Sequence, residues 1–385
     1  MGERDVLEER TRRLAAKCIV FGFDGTRMNE HCKRLIDTGA GGVILFTRNS
    51  DSPEQLRELN ERMKARAAQS GNSLLTMVDQ EGGRVARLKE PFTTVPSHRD
   101  IGSTGEPANS AATAAKVLAR ELKAVHIDVD LAPVVDVDTN PANPVIGSRS
   151  FSRRAEQVSE SGRAFVNALQ EEGVAACVKH FPGHGDTSVD SHIDLPVVDH
   201  SVERLSRVEL PPFKEAVDTG VAAVLVAHVA VPSLEQEPGL PASMSKAVVD
   251  NTLRQGMAYD GLVLTDCVEM GAIQKHFGTG EATVRSLLAG VDMVLICHTE
   301  KKQMEAIDAI CAAVEDGRLP LHRLEEAARR IDAVQRQYAY SPSEACGSQE
   351  SGDEHPSHTL KIIGSAEHRQ MIESILSAHL SHRDE

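Results

Sequence analysis

The stretch KHFPGHGDTSVDSH, residues 179–192, gathers three histidines, two aspartates and a lysine around two glycines. Histidine titrates near neutrality, so it can give a proton to a leaving group and later take one from water. Asp190 and His192 stand two positions apart, which puts their side chains on one side of an extended segment, where the carboxylate can orient the imidazole. Gly183 and Gly185 leave the loop free to close over a ligand. His180, His184 and His192 also invite a metal reading. Against it, no HxH stands at the end of the first apolar run, which reads FGFDG, and no HExxH occurs anywhere. A phosphate loop would need GxxxxGK[ST], and GHGD lacks it.

Three other stretches carry comparable chemistry. In GLVLTDCVEMGA (261–272), Asp266 ends an apolar run and precedes a turn, the place for a carboxylate nucleophile or for a helix cap. Glu269, three residues on, is an alternative acid or base. In TMVDQEGGRVARL (76–88), Asp79 stands beside a Gly82-Gly83 bend and two arginines, Arg84 and Arg87. A carboxylate accepts from adjacent hydroxyls and a guanidinium donates through a fixed fork, a combination suited to a sugar, although an internal Asp-Arg pair would use the same residues. DTNPANPVIGSRSFS (138–152) is a long irregular loop carrying Arg149, a candidate wall for the substrate.

These residues need a frame that brings them together. Eight apolar runs recur at 17–23, 41–46, 73–79, 126–133, 174–180, 221–228, 261–266 and 291–298. They are rich in Val, Ile and Leu, as expected of strands covered on both sides. Between them, stretches such as PEQLRELNERMKARAAQ and AEQVSESGRAFVNALQEEG have helical spacing and end near glycine. Eight βα repeats predict an α/β fold, a (β/α)8 barrel spanning residues 1–340. Asp79, His180, His228, Asp266 and His298 then fall at the C-terminal ends of strands, the rim where such barrels assemble active sites. Residues 341–359, rich in Ser, Gly, Glu and His, read as a flexible linker. Residues 360–385 are too short for a core of their own and predict a tail of one strand and one helix.

Composition narrows the function. A formal charge of −15 over 385 residues argues against nucleic acid, which calls for a concentrated basic face. The charged N-terminus MGERDVLEERTRR has no signal-peptide core, and no apolar run reaches the roughly 18 residues of a membrane span. A cytoplasmic protein without membrane association is expected, monomeric, with a dimer as the alternative. Seven scattered cysteines without a CxxC pair exclude a disulfide scaffold. With no tryptophan and three tyrosines, selectivity must rest on hydrogen bonds more than on stacking. Neither a cofactor nor a metal is called for.

Taken in order, DQEGGRVARL (79–88), LAPVVDVDTNPANPVIGSRSF (131–151), KHFPGHGDTSVDSH (179–192), LVAHVAVPSL with PASMS (225–234 and 241–245) and LTDCVEMGAI (264–273) resemble the family 3 glycoside hydrolases, in their single-domain β-N-acetylglucosaminidase branch. The resemblance covers almost the whole expected barrel. It implies Asp266 as the nucleophile that forms a glycosyl-enzyme intermediate, His192 as the general acid/base and Asp190 as its partner. It further implies that Asp79, Arg87, Arg149, Lys179 and His180 hold a terminal N-acetylglucosamine, and that the enzyme is an exo-acting, retaining hydrolase. The implied substrate is a small β-linked glycan or a muropeptide. Relatives with the same histidine pattern that use phosphate, β-glucosidases of the family, and a silent sugar-binding barrel are the competing readings. Two departures stand out: Cys267 occupies a position where many members carry a second Asp, and the first run reads FGFDGT where FPGT is common.

Overall fold

A computed structural model describes residues 3–191, 194–341 and 360–381. Each of the eight apolar runs contains a strand: β1 (Ile19–Phe21), β2 (Gly42–Leu45), β3 (Leu75–Val78), β4 (Val129–Asp130), β5 (Ala175–Phe181), β6 (Ala223–Val226), β7 (Leu262–Cys267) and β8 (Met293–Ile296). All pair in parallel with their sequence neighbours, and β1 also pairs with β8, Val20 opposite Leu295, which closes the barrel. The expected eight-residue run at 126–133 shrinks to two ladder residues. Pro133 brings no N–H to the ladder, and the chain beyond it is held instead by Cys177 and Lys179, whose N–H groups donate to the carbonyls of Ala132 and Pro133 at 3.0 and 3.2 Å.

Period-two alternation divides the apolar residues between two cores. Val20, Ile44, Leu75, Met77, Val129, Ala175, Leu225, Leu264 and Leu295 fill the lumen. Ile19, Phe21, Val43, Val78, Val178, Val224, Val263 and Val294 pack outward against the helices. The strands are therefore apolar on both faces, the pattern of a sheet with no solvent side. Helices Pro53–Gln69 and Ala155–Glu171 coincide with the two helical stretches quoted above. The long helix Leu321–Tyr338 brings Ile331 and Val334 into the lumen cluster and its Gln335 amide to the carbonyls of Gly41 and Ser73, sealing the end of the barrel opposite the rim.

Where the tail was expected to supply a strand, Leu360–Ile362 forms one 3₁₀ turn, followed by helix Ala366–Ser381. A closed barrel has no free edge for a ninth strand to join. Ile363, Ile372 and Ile375 are buried in the shared core instead. Glu121 anchors this segment, accepting from the Gly364 N–H at 2.9 Å and the His368 ring at 2.8 Å.

One carboxylate ties the last two strands to their helices. Asp292, fully buried before β8, accepts from Arg254, from Arg323 at 2.8 Å, from Arg330 at 3.2 Å and from the Val263 N–H at 3.0 Å. Its removal would strand buried guanidinium groups without a counter-charge. Asp292→Ala is expected to cost roughly 3–5 kcal/mol of stability. Urea unfolding at pH 7 measures this directly; a loss under about 1 kcal/mol would show that the arginines find other partners.

Candidate active site

At the barrel rim a cavity of about 320 Å³ opens between the C-terminal ends of the strands, and Asp79, Arg87, Arg149, Lys179, His180 and Asp266 all line it. These residues come from β3 and its following hairpin, the 138–152 loop, β5 and β7. The barrel register brings together groups up to 187 positions apart in sequence, counted from Asp79 to Asp266. His184 and Ser191, at the start of the loop and next to Asp190, line the same cavity. His192 lies outside the described residues.

Behind the cavity wall lies an ion network centred on Glu81, a residue that the sequence reading passed over. Just past β3, Gln80–Gly82 pairs with Val85–Ala86 in a short hairpin, where Gly82 and Gly83 take φ of 98° and 54°. Such positive φ is open to glycine at little cost. The hairpin places Glu81, 1% exposed, between two cations. Arg149 grips it with both arms of its fork, Nε to Oε2 at 2.9 Å and Nη2 to Oε1 at 2.8 Å. Lys179 Nζ bridges Glu81 Oε1 and Asp79 Oδ1, both at 2.7 Å, and Arg87 Nη2 approaches the other Asp79 oxygen at 3.5 Å. Burial alone would push the Glu81 carboxyl up, but Arg149 and Lys179 outweigh it and hold it well below the usual glutamate range. Burial likewise works against the charge on Lys179, and Asp79 and Glu81 overcome it.

The network continues through His180. Arg149 Nη2 donates to His180 Nε2 at 3.2 Å, and since a guanidinium has no lone pair to offer, that nitrogen must accept. The ring proton is thereby assigned to Nδ1, which donates to Asp136 Oδ2 at 2.7 Å. Asp136 is wholly buried and also accepts the backbone N–H groups of His180 and His184, so one carboxylate fixes both the ring and the start of the loop. Beneath Arg149, His98 donates to its carbonyl at 2.8 Å and stacks on Phe151; burial depresses the His98 ring to about 4, which keeps it neutral.

The glycines of the 179–192 stretch turn out to serve packing. A Cβ on Gly185 would come within 1.9 Å of the Val137 carbonyl oxygen, and Gly183 takes φ of 126°. Both allow the loop to lie hard against its neighbours. His184, 2% exposed, is engaged at both ring nitrogens, Nδ1 with Thr187 at 2.6 Å and Nε2 with Ser191 at 3.3 Å. Burial depresses it to about 4, a neutral ring that shapes the loop.

Asp266 faces the cavity from the end of β7, with one oxygen accepting the Cys267 N–H at 2.7 Å. Burial raises its carboxyl, but His228, His180, the Cys267 N–H and Lys179 together bring it below the ordinary aspartate value. An ionised carboxylate at the floor of a polar pocket can attack an electrophilic carbon. Glu269, the alternative acid or base, also lines the cavity, but one of its oxygens accepts the His298 and Thr299 N–H groups at 2.6 and 3.4 Å. Arg84 likewise points away, donating to the carbonyls of Val145 and Ile146. Among the described residues no three His, Cys, Asp or Glu side chains converge on a possible metal position, and no helix is long and apolar enough to cross a membrane.

The Glu81 geometry has a measurable consequence. Glu81→Gln leaves Arg149 and Lys179 underneutralised in a buried setting and is expected to cost roughly 3 kcal/mol at pH 7. Because the folded carboxyl is depressed, its stabilisation is complete above the unfolded value and is lost as pH falls through the folded one. The stability gap between the native protein and Glu81→Gln should therefore be widest near neutrality and narrow in acid. Denaturant titrations across that range test it, and a gap constant with pH would contradict a charged Glu81.

Comparison with known proteins identifies the family. The glycosyl hydrolase family 3 N-terminal domain matches residues 6–334. A β-hexosaminidase from Thiobacillus denitrificans is 39% identical over 286 residues, 73% of this chain and 78% of that protein. The β-hexosaminidase A of Pseudoalteromonas piscicida is 35% identical over 312 residues, and the match spans about half of its length, 52%, against 76% of this chain. The solved structure of a family 3 β-N-acetylglucosaminidase from Paenibacillus sp. superposes with a TM-score of 0.89 at 40% identity, covering 96% of this chain and 68% of that one. The chain belongs to glycosyl hydrolase family 3, in its β-hexosaminidase branch.

Proposed function

We propose that this chain is a retaining exo-β-N-acetylglucosaminidase that removes a terminal β-linked N-acetylglucosamine. The observation that carries the reading is the ionised Asp266 set opposite the Asp79, Lys179 and Arg149 cluster in one small cavity. In this reading Asp79 accepts from sugar hydroxyls, Lys179, Arg149 and Arg87 orient them, and His180, lining the cavity, holds the Arg149 fork in place. A cavity closed at its floor holds one terminal residue, which makes cleavage exo-acting.

Asp266 attacks the anomeric carbon as the bond to the aglycone oxygen breaks, and His192 protonates that oxygen. Water then attacks the same carbon, His192 takes its proton, and Asp266 departs as a carboxylate. Two inversions restore the β configuration. Asp190 stabilises the imidazolium that gives its proton in the first step and is formed again in the second.

The aglycone we favour is a muropeptide fragment. Phe46 lines the cavity with the Arg87 guanidinium carbon 5.6 Å from its ring centroid, so a carboxylate of such an aglycone would meet a cation. The six described cysteines are free thiols, which supports a reducing compartment such as the cytoplasm.

Matched chromogenic β-N-acetylglucosaminide and β-glucoside substrates test the reading, assayed with and without phosphate. The acetamido sugar should have much the higher kcat/KM, released as the free sugar even when phosphate is present. Asp266→Ala should lower kcat by roughly 10³-fold or more with the fold intact. Equal kcat/KM for the two sugars, a dominant sugar 1-phosphate product, or a nearly unchanged kcat in the variant would overturn it.

A further inference from the structure

The residue after Asp266 is Cys267, and just past the end of the adjacent strand stands a second cysteine, Cys297. β7 and β8 pair in parallel with Leu295 opposite Cys267, so Cys297, two residues on, projects from β8 to the same lumen side. Both belong to the lumen cluster and both line the cavity beside Asp266. They are 9% and 3% exposed, against complete burial of Cys18, Cys32 and Cys177. The Cys267 side chain lies against the Cys297 thiol; that contact, then burial, pushes the Cys297 thiol well above its usual range. Cys311, the remaining described cysteine, sits apart on the helix Glu300–Glu315. Among the described residues, Cys267 and Cys297 are the cysteines that border this cavity, and they touch.

Two touching thiols in a pocket suit a ligand that bonds both sulfurs at once. Their environment selects its charge type. A Cys297 thiolate is disfavoured there by the contact with Cys267, by burial and by the Asp266 carboxylate, so the preferred adduct carries no net charge. A trivalent arsenical meets this condition: R–As(OH)₂ and two R′–SH give R–As(SR′)₂ and two waters, with two As–O bonds exchanged for two As–S bonds and no change of oxidation state. A monovalent soft ion such as Cu⁺ would leave an anionic bis-thiolate beside Asp266.

We propose that Cys267 and Cys297 form a dithiol capture site for trivalent arsenicals, and thiophilic species that likewise give an uncharged bis-thiolate adduct, at the floor of the sugar pocket. Occupation removes the space that the terminal sugar needs next to Asp266. The inhibitory consequence rests on the proposed function of that pocket, whereas capture itself does not.

Phenylarsine oxide, which bridges close thiol pairs in preference to lone cysteines, is the probe. The full chain, treated with a slight excess and desalted, should retain one phenylarsenic group per molecule by intact mass. It should lose more than tenfold of its glycosidase activity. 2,3-Dimercaptopropanol should remove the adduct and restore the rate, while an equal thiol concentration of 2-mercaptoethanol should not. Cys267→Ser and Cys297→Ser, each compared with its own untreated sample, should take up no stable adduct; Cys311→Ser should behave as the native chain. No retained adduct, or an adduct that survives both the Cys267 and the Cys297 replacements, would overturn the site. An adduct that depends on both cysteines but leaves the rate untouched would keep the site and overturn its placement in the substrate's path. Because mass alone reads capture, an unexpected substrate specificity would not be mistaken for failure of the dithiol.

Discussion

The pocket depends on one buried carboxylate. Glu81 holds Arg149 through two hydrogen bonds and shares Lys179 with Asp79, so two cations and two anions are fixed in a space from which water is largely removed. A saccharide is neutral and carries many hydroxyls. Its recognition requires donors and acceptors aimed in advance, because flexible charged side chains would lose much of the binding energy in being ordered. Net compensation inside the network makes that aim affordable, and the remaining valences of Asp79, Lys179 and Arg149 are directed at the cavity. Asp266 is held below its ordinary range against burial by His228, His180, the Cys267 N–H and, last, the Lys179 of this network.

Rigidity below is matched by close packing around the rim. Asp136 fixes the His180 ring and the beginning of the following loop, His98 supports the Arg149 backbone, and Gly185 lets the loop approach the Val137 carbonyl. None of these groups faces the reacting centre as a nucleophile or acid. They decide where such groups stand, and an error of about 1 Å in that placement can cost as much as 10²-fold in rate.

What the sequence made legible follows from which interactions are local. Strand cores such as VLVA and VLIC announce themselves by composition, and Asp79, Lys179, His180 and Asp266 are marked because each ends such a run. The barrel and the gathering of these residues at one rim were therefore readable in advance. Glu81, Asp136 and His98 were not, since their partners Arg149, His180 and the Arg149 carbonyl lie 68, 44 and 51 positions away. Glu81 did leave a signal, standing two residues after Asp79 in an extended segment and so on its side of the chain. The loop glycines were read as hinges because sequence shows that glycine can bend, while only the packed structure shows what a Cβ would strike. The tail was misjudged in its first turn because strand propensity at LKII is local and the absence of a free sheet edge is global. The contact between Cys267 and Cys297 is of the same kind: thirty positions separate them in sequence, and only strand register joins them.

The central claim is that Asp266 becomes covalently attached to the sugar in each turnover. It is tested most directly by trapping the intermediate with an N-acetylglucosamine analogue fluorinated on the ring and activated at C1, followed by proteolysis and peptide mass analysis. The account predicts one glycosyl group per chain, carried on the peptide containing Asp266 and absent from Asp266→Ala. A label on another carboxylate, or steady turnover of the analogue with no covalent adduct at any time, would contradict it.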